Sequence, residues 1–267
     1  MTTESIDATP PAAAGTPPQP VPGWVLIVAP ILGTILFVLV LGVAVAVAAF
    51  SGNLGVGGGV RDIVAKIQGS YFVVMGVGVL FYLTILFSTW LLLPKSGPAS
   101  LASYFPSVSW RFLAAGAGAA IVIVLIILPS LGFISDYFHV NLEASDAEKA
   151  LLPHSLPQLF ALLILGAVAA PLVEEVYFRG VFLRWLRKRL GLAAATIINV
   201  VSFAVLHGRF ISHPGLAGLV ATAGLCVPAV VLVYFAVKSR SLWPGVVTHG
   251  VYNGVLLSLS YFAPNMS

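Results

Sequence analysis

The sequence predicts an all-α, polytopic integral membrane protein with about seven transmembrane helices, its chemistry gathered in a helical core in the C-terminal part. Three observations carry that expectation. The 267 residues are 59% hydrophobic and only 8% charged, and the mean hydropathy of +1.04 lies far above what a water-facing surface tolerates. Apolar runs long enough to cross about 30 Å of hydrocarbon, which takes roughly 20 residues, recur along the chain. Finally, the last third sets acids, histidines and an asparagine inside such runs, where ionisable groups cost free energy and mark function by default.

Met1 to Gly23 is rich in Pro, Ala and Thr and carries Glu4 and Asp7 but no Lys or Arg. It reads as a disordered tail, too poor in apolar surface to fold, and without the basic start and early apolar stretch of a secretory signal. Residues 24–134 are expected to hold three leading spans, at about Trp24–Phe50, Tyr71–Leu93 and Phe112–Ile134. Ser135 to Ser155 is acidic, with Asp136, Glu143, Asp146 and Glu148 against Lys149, and reads as an extra-cytoplasmic loop. His139 and His154 fall in it without acids in register, as solvated loop histidines usually do. Residues 156–262 form the remaining membrane domain.

Within that domain the apolar pattern from Leu156 to Leu190 is too long for one span, about 50 Å at 1.5 Å per residue, so Pro171 is expected to break or kink it. Arg184, Arg187, Lys188 and Arg189 follow as the densest basic cluster in the chain. By the positive-inside rule this cluster faces the cytoplasm, and Lys238 and Arg240 agree, which puts the N-terminus inside a bacterial-type plasma membrane. Arg61 and Lys66 lie on the outside in that scheme and count against it. The net charge of +4 comes from residues flanking spans, a pattern that orients a membrane protein and makes no nucleic-acid footprint. The single cysteine, Cys226, excludes an intrachain disulfide framework and a thiolate zinc cluster.

The chemistry centres on Glu174 and Glu175. Glu175 and Arg179 are four residues apart, on one helix face and in ion-pair reach, whereas Glu174 points about 100° away. If the chain turns at Gly191 into an antiparallel helix pair, Glu174 and His207 both lie about 24–26 Å from the turn. His249 and Asn253, again four apart, reach a similar depth from the turn at Ser239. A carboxylate beside an imidazole can hold and deprotonate water, and a second imidazole with a carboxamide can donate to an oxyanion. Glu174, His207 and His249 could equally ligate zinc with one position left for water. Spacing leaves both mechanisms open, with a slight preference for the metal-free one; no H-E-x-x-H pattern is present. Taken singly, each residue has a structural reading: an ion pair for Glu175 and Arg179, a satisfied buried histidine for His207, an interhelical hydrogen bond for Asn253. His213, in the Gly208–Pro214 turn, has no matching partner in the sequence.

At these residues the chain resembles the CPBP family of intramembrane endopeptidases, also called Abi or CAAX-protease-like. Its E-E-x-x-x-R motif is matched by Glu174, Glu175 and Arg179, its F-x-x-x-H motif by Phe203 and His207, and its H-x-x-x-N motif by His249 and Asn253. The resemblance implies an all-helical hydrolase that cuts a membrane-associated protein or peptide, lipidated in the prenyl-processing members. It also implies that Glu174 and His207 activate water and that His249 and Asn253 hold the oxyanion, and members are often described as metalloproteases. The alternative class is a non-enzymatic membrane protein, a transporter, bacteriocin-immunity factor or scaffold, using the same polar cluster structurally.

Overall fold

The computed structural model describes residues 22–50, 69–97 and 99–263. Residues 1–21 of the expected tail and the loop carrying Arg61 and Lys66 lie outside the described residues. Within them the chain is all-helical. In chain order we label α1 Val25–Phe50, α2 Tyr71–Leu92, α3 Trp110–Phe138, the short α4 Asp146–Lys149, α5 (156–190), α6 (192–206), the short α7 Arg209–Ser212, α8 Leu216–Ser239 and α9 Trp243–Phe262. A 3₁₀ turn, Leu101–Tyr104, precedes α3.

By length and composition five helical runs among the described residues can cross a membrane: α1 over Val25–Val47, α2, α3, the continuous run Leu156–Ser212, and α8. The expected count of seven is therefore not reached. The run Leu156–Ser212 reverses direction within itself, and its second arm, α6, has 15 residues, about 22 Å of helix, short of the hydrocarbon thickness. The last helix, α9, carries Thr248, His249 and Asn253 and is not among the five.

The reversal is at Gly191, with φ 75° and ψ 179°. Only glycine occupies this region of backbone space without strain. It turns α6 back along α5, so that Phe178 meets Phe203 edge-to-face at 5.1 Å and the Asn199 side chain donates to the Phe178 carbonyl at 2.8 Å. Pro171, by contrast, does not break α5. The helix widens into π turns at Ile164–Ala169 before the proline and again at Val176–Phe182 after the acids. Pro171 has no N–H to close the wide turn onto the Gly166 carbonyl, and Asn253 of α9 donates to that carbonyl instead, at 2.8 Å. A freed carbonyl in a membrane must find such a partner.

Around this hairpin the other helices pack in two groups. α1 and α2 lie together: Ser88 donates to the Ala29 carbonyl at 2.7 Å, and Gly33 sits directly against Ile85. Tyr177 of α5 donates to Leu26 of α1 at 2.7 Å, which ties that pair to the core. α3 packs on α9 and α8 through Ala120, Ile123, Val124 and Ile127 against Tyr252. Arg184 lies over the Tyr104 ring, and Leu242 donates to the Tyr104 carbonyl, so the basic end of α5, the 3₁₀ turn and the α8–α9 turn share one end of the molecule.

Gly191→Ala is expected to destabilise the protein by about 1–3 kcal/mol through backbone strain alone, since a Cβ there meets open space. Denaturant unfolding in detergent checks this, and an unchanged midpoint would place the reversal elsewhere.

Candidate active site

Glu174 and Glu175 sit at the C-terminal end of the α-helical turn Ala170–Glu175, between the two π stretches. π turns occur often at functional sites because they re-aim side chains relative to a regular helix. Glu175 is fully buried, and so is Arg179, whose Nη1 lies 3.1 Å from Glu175 Oε1. The guanidinium also lies over the Phe203 ring at 4.3 Å, and its Nη2 donates to the Ala229 carbonyl at 3.4 Å. The expected ion pair is thus present, but it is not private. His249 Nδ1 approaches the same Oε1 at 3.2 Å, a contact between residues 74 apart that no local spacing announces. Gly245 makes room for this carboxylate, because a Cβ there would lie 2.9 Å from Glu175 Oε2.

Glu174 faces the other way, as its 100° offset requires. Its Oε2 stands 3.7 Å from His207 Nε2 and 3.8 Å from His249 Nε2. Each imidazole is held from behind. His207 Nδ1 lies 2.7 Å from the Phe203 carbonyl, which can only accept, so Nδ1 carries the proton and Nε2 presents a lone pair when the ring is neutral. His249 Nδ1 likewise donates to the Glu175 carboxylate, which sets its Nε2 toward Glu174. Phe203 packs against both imidazoles, with ring centroids 4.4 Å from His207 and 5.7 Å from His249. The side chains grade from closed to open: His249 is 4% exposed, Glu174 15% and His207 31%.

Asn253 lies one helical turn beyond His249, but one of its two amide hydrogens is committed to Gly166. Sequence spacing missed two residues of this region. Tyr82 of α2 donates its hydroxyl to Glu174 Oε1 at 2.8 Å, and the only trace of it in the sequence is a phenol in mid-span. His213 has partners after all. It is buried, its Nε2 lies 2.7 Å from the Glu143 carbonyl, and its Nδ1 lies 3.0 Å from Ser212 Oγ. Glu148 pairs with Arg209 and lies 4.0 Å from His213, so the acidic loop is pinned to α7. Partial burial alone would raise the Glu148 carboxyl, but hydrogen bonds from Ser145 and the charges of Arg209 and His213 outweigh it and hold the group below its ordinary range.

A cavity of about 540 Å³ opens beside these groups. Tyr82, Phe203, His207, His249 and Asn253 are among the residues lining it, as are Arg209 and His213. Most of the rest is apolar, with Leu128, Leu131, Leu225 and Leu257 among the lining residues. The two imidazole nitrogens stand wider from Glu174 than the roughly 3.3 Å between ligands on a tetrahedral zinc with bonds of about 2.0–2.1 Å. Among the described residues no group of three His, Cys, Asp or Glu side chains meets as a metal site. As placed, Glu174, His207 and His249 do not form one.

Residues 156–255 match the family model for the type II CAAX prenyl endopeptidases, Rce1-like. That is the family the three motifs resemble, and the matched stretch contains all seven motif residues. The match supports a membrane-embedded protease. No curated protein and no solved structure matches the chain.

Replacing Glu175 by Gln removes the charge that Arg179 and His249 share. Because breaking a buried pair leaves a buried cation uncompensated, a loss on the order of 3–5 kcal/mol is expected. Thermal unfolding of Glu175→Gln beside Glu174→Gln checks it, with the larger drop expected for Glu175.

Proposed function

We propose that the protein is an intramembrane endopeptidase that hydrolyses a peptide bond in a membrane-associated protein or peptide, using water activated by Glu174 and His207. The observation that carries this reading is the convergence of the buried Glu174 Oε2 with the Nε2 atoms of His207 and His249, two histidines that line a largely apolar cavity, within the stretch that matches the Rce1-like family. An apolar wall suits a membrane peptide or a lipidated chain end better than an ion pathway, which polar groups line.

In this reading a water lies between Glu174 Oε2 and His207 Nε2, both of which accept hydrogen bonds. As the water oxygen bonds to the scissile carbonyl carbon, its proton passes to the Glu174–His207 pair. The same proton then goes to the leaving amide nitrogen as the C–N bond breaks. The carbonyl oxygen becomes an oxyanion. His249, its Nδ1 held by Glu175, donates to it from Nε2 when that nitrogen carries a proton, and the second amide hydrogen of Asn253 is the other donor, each worth on the order of 10²–10³ in rate. Every step uses the chain's own residues, and activity should accordingly survive chelation. The basic end of α5 faces the cytoplasm in this scheme and the Glu143–Glu148 loop the opposite side.

The test is cleavage of a membrane-peptide library by the purified full-length protein. Glu174→Gln should abolish cleavage while thermal stability stays near that of the unsubstituted protein. Near-normal turnover by Glu174→Gln would remove Glu174 as the base, and loss of activity to a chelator with recovery on adding zinc would replace the metal-free mechanism.

A further inference from the structure

The stretch matched to the protease family begins at residue 156, yet one of the groups in contact with Glu174 comes from α2, far upstream. Tyr82 is the twelfth residue of the 22-residue α2, roughly 15 Å or more from either end. That depth does not suit an aromatic-belt residue, whose ring sits at the headgroups. A phenol buried in hydrocarbon needs an acceptor for its hydroxyl, and the acceptor here is Glu174 Oε1 at 2.8 Å. The other carboxylate oxygen, Oε2, has no hydrogen-bond partner and faces the two imidazoles.

We infer that Tyr82 is a positioning residue: by holding Glu174 Oε1 it leaves Oε2 as the oxygen aimed at His207 and His249, so the leading helix pair completes the site. The terminal torsion of a glutamate is soft and roughly two-fold, so a carboxylate on a helix does not by itself keep one oxygen pointed at a partner. Tyr82 supplies that constraint from a helix that is itself fixed. α2 is locked to α1 by the Ser88 bond to Ala29 and by the close approach of Gly33 to Ile85, and α1 is tied to α5 by Tyr177. Each link leads back to the helix that bears Glu174, so the tyrosine is held in place relative to the carboxylate.

The catalytic consequence rests on the peptidase reading, whereas the hydrogen bond does not, and the test separates them. In full-length protein, Tyr82→Phe keeps the ring and deletes the hydroxyl. It should lower kcat on a cleaved membrane peptide by on the order of 10- to 100-fold, the rate equivalent of one hydrogen bond to a charged group, with KM little changed. In a Glu174→Ala background the same substitution should leave the residual rate unaltered, because Tyr82 acts through Glu174. A double-mutant cycle between Tyr82→Phe and Glu174→Ala, which removes the acceptor that a glutamine would keep, read by unfolding and independent of turnover, should show coupling between the two sites. Wild-type kcat in Tyr82→Phe, an equal further loss in the Glu174→Ala background, or additive stabilities would each overturn the inference. If the unsubstituted protein cleaves no membrane peptide, the peptidase reading fails, and the stability cycle alone then decides for or against the Tyr82–Glu174 bond.

Discussion

The constraint on which the rest of this structure depends is the fully buried carboxylate of Glu175. In a low-dielectric interior a lone carboxylate is untenable. Here one oxygen is shared by a buried guanidinium at 3.1 Å and an imidazole at 3.2 Å. Arg179 reaches it from the next turn of the same helix, and His249 reaches it from α9. The charge therefore does two things at once. It neutralises an arginine that sits over Phe203, and it fixes the ring of a histidine whose other nitrogen faces Glu174. An ion pair of this kind is weak evidence for net stability, since desolvation offsets much of the attraction. Its effect is geometric: Glu175 holds Arg179 within its own helix and ties α9 to α5 through His249.

The first wide turn in α5, Ile164–Ala169, follows from the same economy. A proline one turn before two acids, inside a membrane, would leave a carbonyl without a donor. Asn253 supplies the donor to Gly166 and in doing so sets α9 against α5 at the level of His249. Asn253 thus combines the interhelical bond with a free amide hydrogen at the cavity. At the far end the acidic loop is not loose solvent-facing chain, because Glu148 and the Glu143 carbonyl hold it to Arg209 and His213 beside the cavity.

Much of the site was legible in the sequence because its register is local. Equal distances of Glu174 and His207 from Gly191 placed them level, and the four-residue spacing of Glu175 and Arg179 placed them on one face; the helix pair delivers both. Less legible was anything decided by side chains meeting across helices. The sharing of Glu175 with His249 and the bond from Tyr82 join residues 74 and 92 apart, and nothing in their own segments marks them. Of the expected break or kink at Pro171, the break does not occur: the helix widens into a π turn and continues, because a neighbour satisfies the freed carbonyl. The expected count of about seven spans is not confirmed, because the run Leu156–Ser212 holds two arms, of which α6 has only 15 residues, and α9 is less apolar than the five runs that can cross.

Glu175 orients His249 by accepting from its Nδ1, which aims Nε2 at Glu174. The most direct measurement is the ¹⁵N spectrum of His249 in full-length protein held in a lipid bilayer, with the resonance assigned by His249 substitution. A proton is expected on Nδ1, lost from that nitrogen in Glu175→Ala. A neutral ring carrying its proton on Nε2, with Nδ1 bare beside Glu175, would contradict it.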